Sequence, residues 1–158
     1  MKPFTQTADT LDQELADKID GILAAHGEDP TQLVGILLDV EGYSWEDAWH
    51  IVTQTVCYTN HTVLAEALER WPQSLIQTLL PRIWTILKEI ASRYQRELEH
   101  RYGNDTGKIA NMAIIWGGEV RMANLCICAC QTVNGVSALH SEILKKDVFH
   151  DAYLARPE

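Results

Sequence analysis

Basic side chains are scarce in this sequence. Its 158 residues contain 13 Lys and Arg against 22 Asp and Glu, which gives a formal net charge of −9. Binding to nucleic acid or to an anionic membrane surface depends on clustered Lys and Arg side chains that contact phosphate groups. The charge balance therefore excludes nucleic acid and membrane as expected partners.

Long apolar stretches are also missing. No uninterrupted apolar run approaches the roughly 20 residues that a membrane-spanning helix needs. Residues 1–13 contain one lysine and no apolar core, so they do not predict a secretory signal. The cysteines number four, and three of them crowd into residues 126–130, a pattern unlike a disulfide framework. We therefore expect a cytoplasmic protein in a reducing compartment.

The composition that remains, with 46% hydrophobic and 22% charged residues, is that of a soluble globular chain with enough length for one domain. Helical periodicity dominates it. The apolar stripes of the predicted helices fall within Leu11–Leu23, Leu33–Val40, Trp45–Val52, Leu64–Arg70, Ile83–Leu98 and Val136–Leu144. Residues typical of helix ends accompany these stripes: Pro30, Ser44 and Pro81 at starts, and Gly27, Gly42 and Gly103 at stops.

Residues 120–129 are the best candidate for a strand. Cys126, Cys128 and Cys130 alternate, and in a strand they would share one face. A metal or iron–sulfur site would need four ligands, usually with gaps that let the chain curl around the metal, and Cys57 would have to supply the fourth. Burial in a strand covered on both faces fits the pattern better. The sequence thus favours structural cysteines, with a metal or redox protein as an alternative.

The polar segment Thr59–Thr62 separates two predicted helices. Its side chains bond readily to nearby backbone and favour turns or caps. Within it, His61 is either a hydrogen-bonded structural residue or a contact for a hydroxyl-rich ligand, presented by a rigid scaffold. The residue types alone leave both interpretations open.

Glu66 and Glu69 share one face of the short helix predicted over residues 64–70. Glycoside hydrolysis uses two carboxylates that flank the sugar bond, one acid and one base or nucleophile. Two carboxylates side by side on one helix cannot flank a substrate in this way. A solvated face beside Arg70 is the simpler interpretation, and we do not expect a glycosidase.

Asn134 and Gly135 are typical of a turn. A two-residue hairpin is one interpretation, but the residues that follow are helical in pattern, so we predict a connection from a strand to a helix. Such a connection leaves the Asn134 amide at the carboxyl end of a strand, where open α/β sheets bind ligands. A ligand site and a simple turn remain open alternatives.

Two long blocks of the sequence resemble the α-glucan (glycogen or maltodextrin) phosphorylases. They are LLDVEGYSWEDAWHIVTQTVCYTNHTVLAEALERWP and VRMANLCICACQTVNGVSALHSEILKKDVFHDAY, with LLPRIW between them. The resemblance covers about residues 33–158, whereas residues 1–30 do not match. It divides the chain into a helical N-terminal segment, 1–30, and a phosphorylase-like segment, 31–158, which leads from the family's N-terminal domain toward its C-terminal domain.

The helical periodicity and the strand candidate predict a mainly α fold with one or two short buried strands. In the parent enzyme this would be part of a two-domain, doubly wound α/β glycosyltransferase fold of the GT-B type. By motif match, His61 and Asn134 would contact the glucosyl unit, and Glu66 and Glu69 would line a pocket beside it. The family transfers a glucosyl residue from an α-1,4-glucan to phosphate, forming glucose 1-phosphate with pyridoxal phosphate as cofactor.

The sequence also departs from the family pattern. The family's cofactor lysine, glycine-rich stretch and Arg/Lys cluster for phosphate lie downstream of Glu158, so we expect no catalytic residue, no bound cofactor and no phosphorolysis in this chain alone. Ala65 stands in place of the family's usual proline, and Cys130–Gln131 in place of small or polar residues. The alternative is a non-catalytic helical interaction module, because helix faces without their neighbours would be exposed and would favour self-association.

Overall fold

The computed structural model describes residues 30–157, and this part of the chain is mainly helical with a few short strands. The described helices are α1 (Pro30–Asp39), α2 (Trp45–Thr55), α3 (Gln73–Leu79), α4 (Pro81–Tyr102), α5 (Thr106–Met112), α6 (Met122–Ala129), α7 (Ala138–Ile143) and α8 (His150–Ala155). The described strands are β1 (Cys57–Asn60), β2 (Arg70–Pro72), β3 (Ile115–Trp116), β4 (Glu119–Arg121) and β5 (Thr132–Gly135). The helix predicted within Leu11–Leu23 lies outside the described residues.

One apolar core joins α1, α2 and α4. Its largest side chains include Leu33 and Leu37 from α1, Ile51 from α2, and Ile86 and Ile90 from α4, each at most 2% exposed. Full burial of such a side chain stabilises the fold by about 1.5–3 kcal/mol. The core therefore provides a firm helical base for the shorter elements that follow it. None of the helices in residues 30–157 combines the length and the apolar character that a membrane span requires.

Several start and stop signals lie where the sequence predicted them. Pro81 is the first residue of α4, and Gly103 ends that helix with a φ of 58°. Ser44 precedes α2, and its Oγ accepts a hydrogen bond from the Asp47 backbone N–H at 3.1 Å. These predictions are confirmed because each depends on local backbone geometry, which the residue itself supplies.

Two small sheets complete the described fold. β1 and β5 pair in parallel, with Cys57 opposite Thr132 and Asn60 opposite Gly135. β2, β4 and β3 form an antiparallel sheet in that order. Gly117 and Gly118 form the turn between β3 and β4, and both have positive φ angles.

Residues 122–129 form a helix, so the predicted strand over residues 120–129 is wrong except at its first two residues, which belong to β4. Cys126 and Cys128 therefore point to different sides of α6, and Cys130 follows its end. A short apolar run cannot be assigned to helix or strand by periodicity alone. In α6 the backbone bonds internally, and the strand begins only after Cys130.

Residues 64–70 do not form the predicted helix. Only one turn of 3-10 helix is present, over Ala65–Ala67, and the chain then enters β2. The Met122 backbone N–H donates to the carbonyl oxygen of Glu69 at 3.1 Å, so the backbone of Glu69 bonds to the start of α6. Because pairing with β4 draws this segment into an extended form, Glu66 and Glu69 do not share a helix face.

The last predicted helix, with its stripe from Val136 to Leu144, is divided. α7 is followed by a π-helical turn over Leu144–Val148 and then by α8. Leu144 is buried as predicted, whereas Val136 and Leu139 are 58% and 73% exposed. His140 lies on the buried side of α7 instead, and its ring nitrogens bond to the backbone of Val136 and Thr62.

The contact between Gly135 and α7 gives a prediction about stability. A Cβ atom at Gly135 would lie 2.8 Å from the Ser141 backbone nitrogen and 3.0 Å from His140 Cγ. We expect Gly135→Ala to lower the free energy of unfolding by about 1–3 kcal/mol, because α7 must move away from β5. Urea unfolding followed by circular dichroism would measure the change.

Gly107→Ala is the matched control for this measurement. At Gly107, within α5, a Cβ atom would meet only Asp105 Oδ1, at an ordinary 3.5 Å. The free energy of unfolding should stay the same or rise by up to about 1 kcal/mol, because alanine reduces the conformational freedom of the unfolded chain. A Gly135→Ala protein as stable as the parent chain would contradict the close packing of β5 on α7.

Candidate functional site

The parallel strands β1 and β5 end side by side at one edge of their sheet. Thr59 lies opposite Asn134 in the register, and its Oγ1 donates a hydrogen bond to Asn134 Oδ1 at 3.2 Å. β5 leads into α7, which confirms the predicted connection from a strand to a helix at Asn134–Gly135. The amide of Asn134 thus lies near the carboxyl end of a strand, in the position from which α/β sheets contact ligands.

The loop after β1 carries His61. Asn60 is 1% exposed; its Oδ1 accepts from the Thr62 backbone N–H at 2.9 Å, and its Nδ2 donates to the Tyr58 hydroxyl at 3.0 Å. Thr62 Oγ1 accepts from the Leu64 backbone N–H at 3.1 Å. These bonds bend the chain around His61, whose side chain is exposed. The prediction that this polar segment bonds to nearby backbone is confirmed.

His140 is a residue of this site that sequence reasoning missed. It is 7% exposed, and its Nδ1 accepts from the Val136 backbone N–H at 3.2 Å. The proton therefore lies on Nε2, which donates to the carbonyl oxygen of Thr62 at 3.1 Å. One sequence signal could have indicated part of this arrangement: Ser137, three residues before His140, caps α7 by accepting from the His140 backbone N–H at 3.2 Å.

The predicted site residues are divided between two neighbouring clefts. Asn134 lines a cleft of about 770 Å³ together with Lys145 and Arg156. Glu69 lines a second cleft, of about 340 Å³, whose wall also includes Arg121. Glu66 is exposed on the 3-10 turn. The structure therefore brings the His61 loop and Asn134 to one edge, and it directs Glu69 to the adjoining cleft.

Charged side chains line both clefts. In the second cleft, burial and then repulsion from Arg70 lower the pKa of the Arg121 guanidinium, and Arg70 forms an ion pair with Glu119 at 3.6 Å. At the edge of β1 and β5, the functional groups are a hydroxyl, an amide and an imidazole, from Thr59, Asn134 and His61. Such groups both donate and accept hydrogen bonds, as recognition of a hydroxyl-rich ligand requires.

The cysteines of the CICAC run are packed into the fold. Burial raises the pKa of the Cys128 thiol to about 12, and a hydrogen bond to Cys126, followed by burial, raises the pKa of Cys130. Within residues 30–157, no group of three or more His, Cys, Asp or Glu side chains is placed to hold a metal ion. Cys128 is thus packed in the core, whereas Cys126 and Cys130 are half-buried.

The described residues do not fit pyridoxal phosphate. Covalent attachment needs a lysine that faces an enclosed site, and the phosphate needs converging donors. In the described part of the chain, Lys108, Lys145 and Lys146 form ion pairs with nearby carboxylates, and Lys88 is exposed. Each lysine of this part is thus ion-paired or exposed to solvent, and none faces an enclosed site.

Comparison with known proteins places these features in one family. The profile of the family described as carbohydrate phosphorylase matches residues 30–158. The chain is 48% identical over 126 residues to a glycogen phosphorylase of Bacillus subtilis (strain 168), covering 80% of this chain and 16% of that protein. It is 46% and 44% identical over 129 residues to the muscle forms of Ovis aries and Homo sapiens, covering 80% of this chain and 15% of each relative.

Thiol labelling would test the arrangement around α6. Cys57 is exposed, whereas Cys128 is 6% exposed and has a raised pKa. At mildly alkaline pH, we expect Ellman's reagent to modify Cys57 in the native protein and Cys128 only after unfolding, because the reagent attacks accessible thiolates. In the control variant Cys57→Ser, the fast phase of thiol modification should disappear. Fast modification of Cys128, located by mass spectrometry, would contradict the burial of this side of α6.

Proposed function

The chain belongs to the carbohydrate phosphorylase family, and on that premise we propose that it forms part of the glucosyl-binding wall of an α-glucan phosphorylase. The proposed activity of the whole enzyme is phosphorolysis of an α-1,4-glucan to glucose 1-phosphate, with pyridoxal phosphate as cofactor. This chain spans about 15–16% of the length of the curated relatives. In the proposed enzyme it would supply binding and orientation within a two-domain GT-B fold.

The observation that carries this proposal is the convergence of the His61 loop and Asn134 at the ends of β1 and β5. Both are tied to regular strands, and Thr59 joins them through its hydrogen bond to Asn134. Sugar hydroxyls are recognised by a few polar groups that a rigid scaffold holds at fixed positions. We therefore assign His61 and Asn134 as contacts of the glucosyl unit.

Glu66 and Glu69 have a different part in the proposal. Glu69 lines the cleft that adjoins the cleft of Asn134, and the two clefts share Ile127, Phe149 and Ala152. Carboxylates at such a position accept hydrogen bonds from sugar hydroxyls. We assign both glutamates to the wall of a pocket beside the glucosyl site, without a role in proton transfer.

A second candidate function is a helical interaction module that assembles with itself. Large apolar side chains are exposed along β2 and α3: Trp71 and Leu75 are each 41% exposed, Leu79 is 66% exposed, and Leu80, which follows α3, is 51% exposed. Several large apolar side chains exposed within residues 71–80 are a candidate surface for protein–protein contact. This observation supports association, whereas the edge of β1 and β5 supports sugar binding.

Sugar titration would test the first function. We expect maltopentaose, added to the ¹⁵N-labelled 158-residue chain, to shift amide resonances of residues 59–62 and 132–136. His61→Ala and Asn134→Ala should each weaken binding about tenfold, the effect of losing one hydrogen bond of about 1.4 kcal/mol. His100→Ala, which removes another exposed histidine, is the control. Equal affinity of His61→Ala and His100→Ala would contradict the assignment.

Light scattering coupled to size exclusion would test the second function. If the surface on β2 and α3 drives self-association, we expect a dimer or larger species at high protein concentration. Leu79→Glu should restore the monomer, because a carboxylate opposes burial of this surface. Leu154→Glu, at a side chain on α8 that is 58% exposed, is the control. A monomer at all concentrations would overturn the second function and leave the first intact.

A further inference from the structure

We propose that His140 is a positioning residue for sugar binding, which holds the His61 loop in place through the backbone of Thr62. The consequence for binding rests on the proposed function of His61. The structural part of the inference rests on hydrogen bonds in the protein itself. His140 is buried, and its ring nitrogens bond to backbone groups of Val136 and Thr62.

Hydrogen bonds first fix the His140 ring to the segment between β5 and α7. Its Nδ1 accepts from the Val136 backbone N–H at 3.2 Å, and Ser137 Oγ accepts from the His140 backbone N–H at 3.2 Å. The Gly135 backbone N–H donates to Ser141 Oγ at 3.0 Å. Because Gly135 lacks a side chain, the ring can pack against the end of β5.

The same ring also bonds to the loop that carries His61. Its Nε2 donates to the carbonyl oxygen of Thr62 at 3.1 Å, across 78 positions of sequence. The N–H of Thr62 is already bonded to Asn60 Oδ1 at 2.9 Å. Both backbone polar groups of Thr62 are therefore held, one from β1 and one from α7, and His61 lies directly before this fixed residue.

The same bonds exclude a direct role for His140 in binding sugar. Both ring nitrogens have backbone partners, and the side chain is 7% exposed. A neutral imidazole has one donor and one acceptor, so the ring has no further group to offer a ligand. His140 can therefore affect sugar binding only through the position of the His61 loop.

Two substitutions separate the two bonds of the ring. His140→Asn places an amide near the position of Nδ1, so it can accept from Val136 but is too short to reach Thr62. His140→Gln extends an amide toward the position of Nε2, so it can donate to Thr62 but loses the acceptor for Val136. Each variant removes one of the two bonds, so a merely structural role predicts similar effects on the His61 loop.

The first measurement is independent of sugar. In the native chain, long-range ¹H–¹⁵N correlation should show the His140 ring protonated at Nε2 and bare at Nδ1. Amide hydrogen exchange should be faster at Thr62 in His140→Asn than in His140→Gln. A proton on Nδ1, or equal exchange in the two variants, would overturn the inference, and the tautomer can be read even if a variant does not fold.

The second measurement uses maltopentaose with the same chain and variants. His140→Asn should weaken binding about tenfold, the loss expected for one hydrogen bond, and His140→Gln should bind within about threefold of the native chain. A loop loosened in His140→Asn with unchanged affinity would overturn the positioning role. A native chain that binds no sugar would instead overturn the proposed function of His61, and the exchange data would still decide whether His140 holds the loop.

Discussion

The parallel pairing of β1 with β5 is the constraint on which the rest of this structure depends. The pairing joins segments that are 75 residues apart, and the bond from the Gln131 N–H to the Val56 carbonyl at 2.8 Å extends it to the residues before both strands. A parallel register fixes which ends meet. Because the two strands run in the same direction, the loop with His61 and the connection with Asn134 emerge at one edge.

Two strands of four residues could not maintain this register alone, since an isolated two-stranded sheet is marginally stable at best. The helices that precede the strands supply the support. α2 leads into β1 and buries Ile51 and Val52, and α6 leads into β5 and buries Leu125, each at most 1% exposed. The packed helices therefore fix the positions of the two strands relative to each other. Polar residues can then occupy the strand ends with little loss of buried apolar surface.

Sequence reasoning succeeded where structure is local. Ser44 and Gly103 each determine a helix end through their own backbone geometry, and both were predictable. It failed for α6 because the form of this segment depends on distant partners: the apolar run became a helix, and the strand lies further along the chain, at Thr132–Gly135 opposite β1. The motif match predicts His61 and Asn134 as sugar contacts, and this stays a prediction. His140 was missed, since no spacing in the sequence indicates that its ring reaches Thr62.

The distribution of buried polar residues shows what the His61 loop requires. Among the described residues, the polar side chains that are buried belong to Thr31, Asn60 and His140. Two of these three bond to the backbone of Thr62, one to its N–H and the other to its carbonyl oxygen. Burial of a polar group without a partner costs about 1–3 kcal/mol. Each of these bonds therefore holds both the buried side chain and the backbone of Thr62 in place.

The His61 loop itself contributes little apolar burial, as Val63 and Leu64 are 44% and 54% exposed. Its conformation is therefore specified by hydrogen bonds rather than by packing, which leaves the side chain of His61 exposed on a fixed backbone.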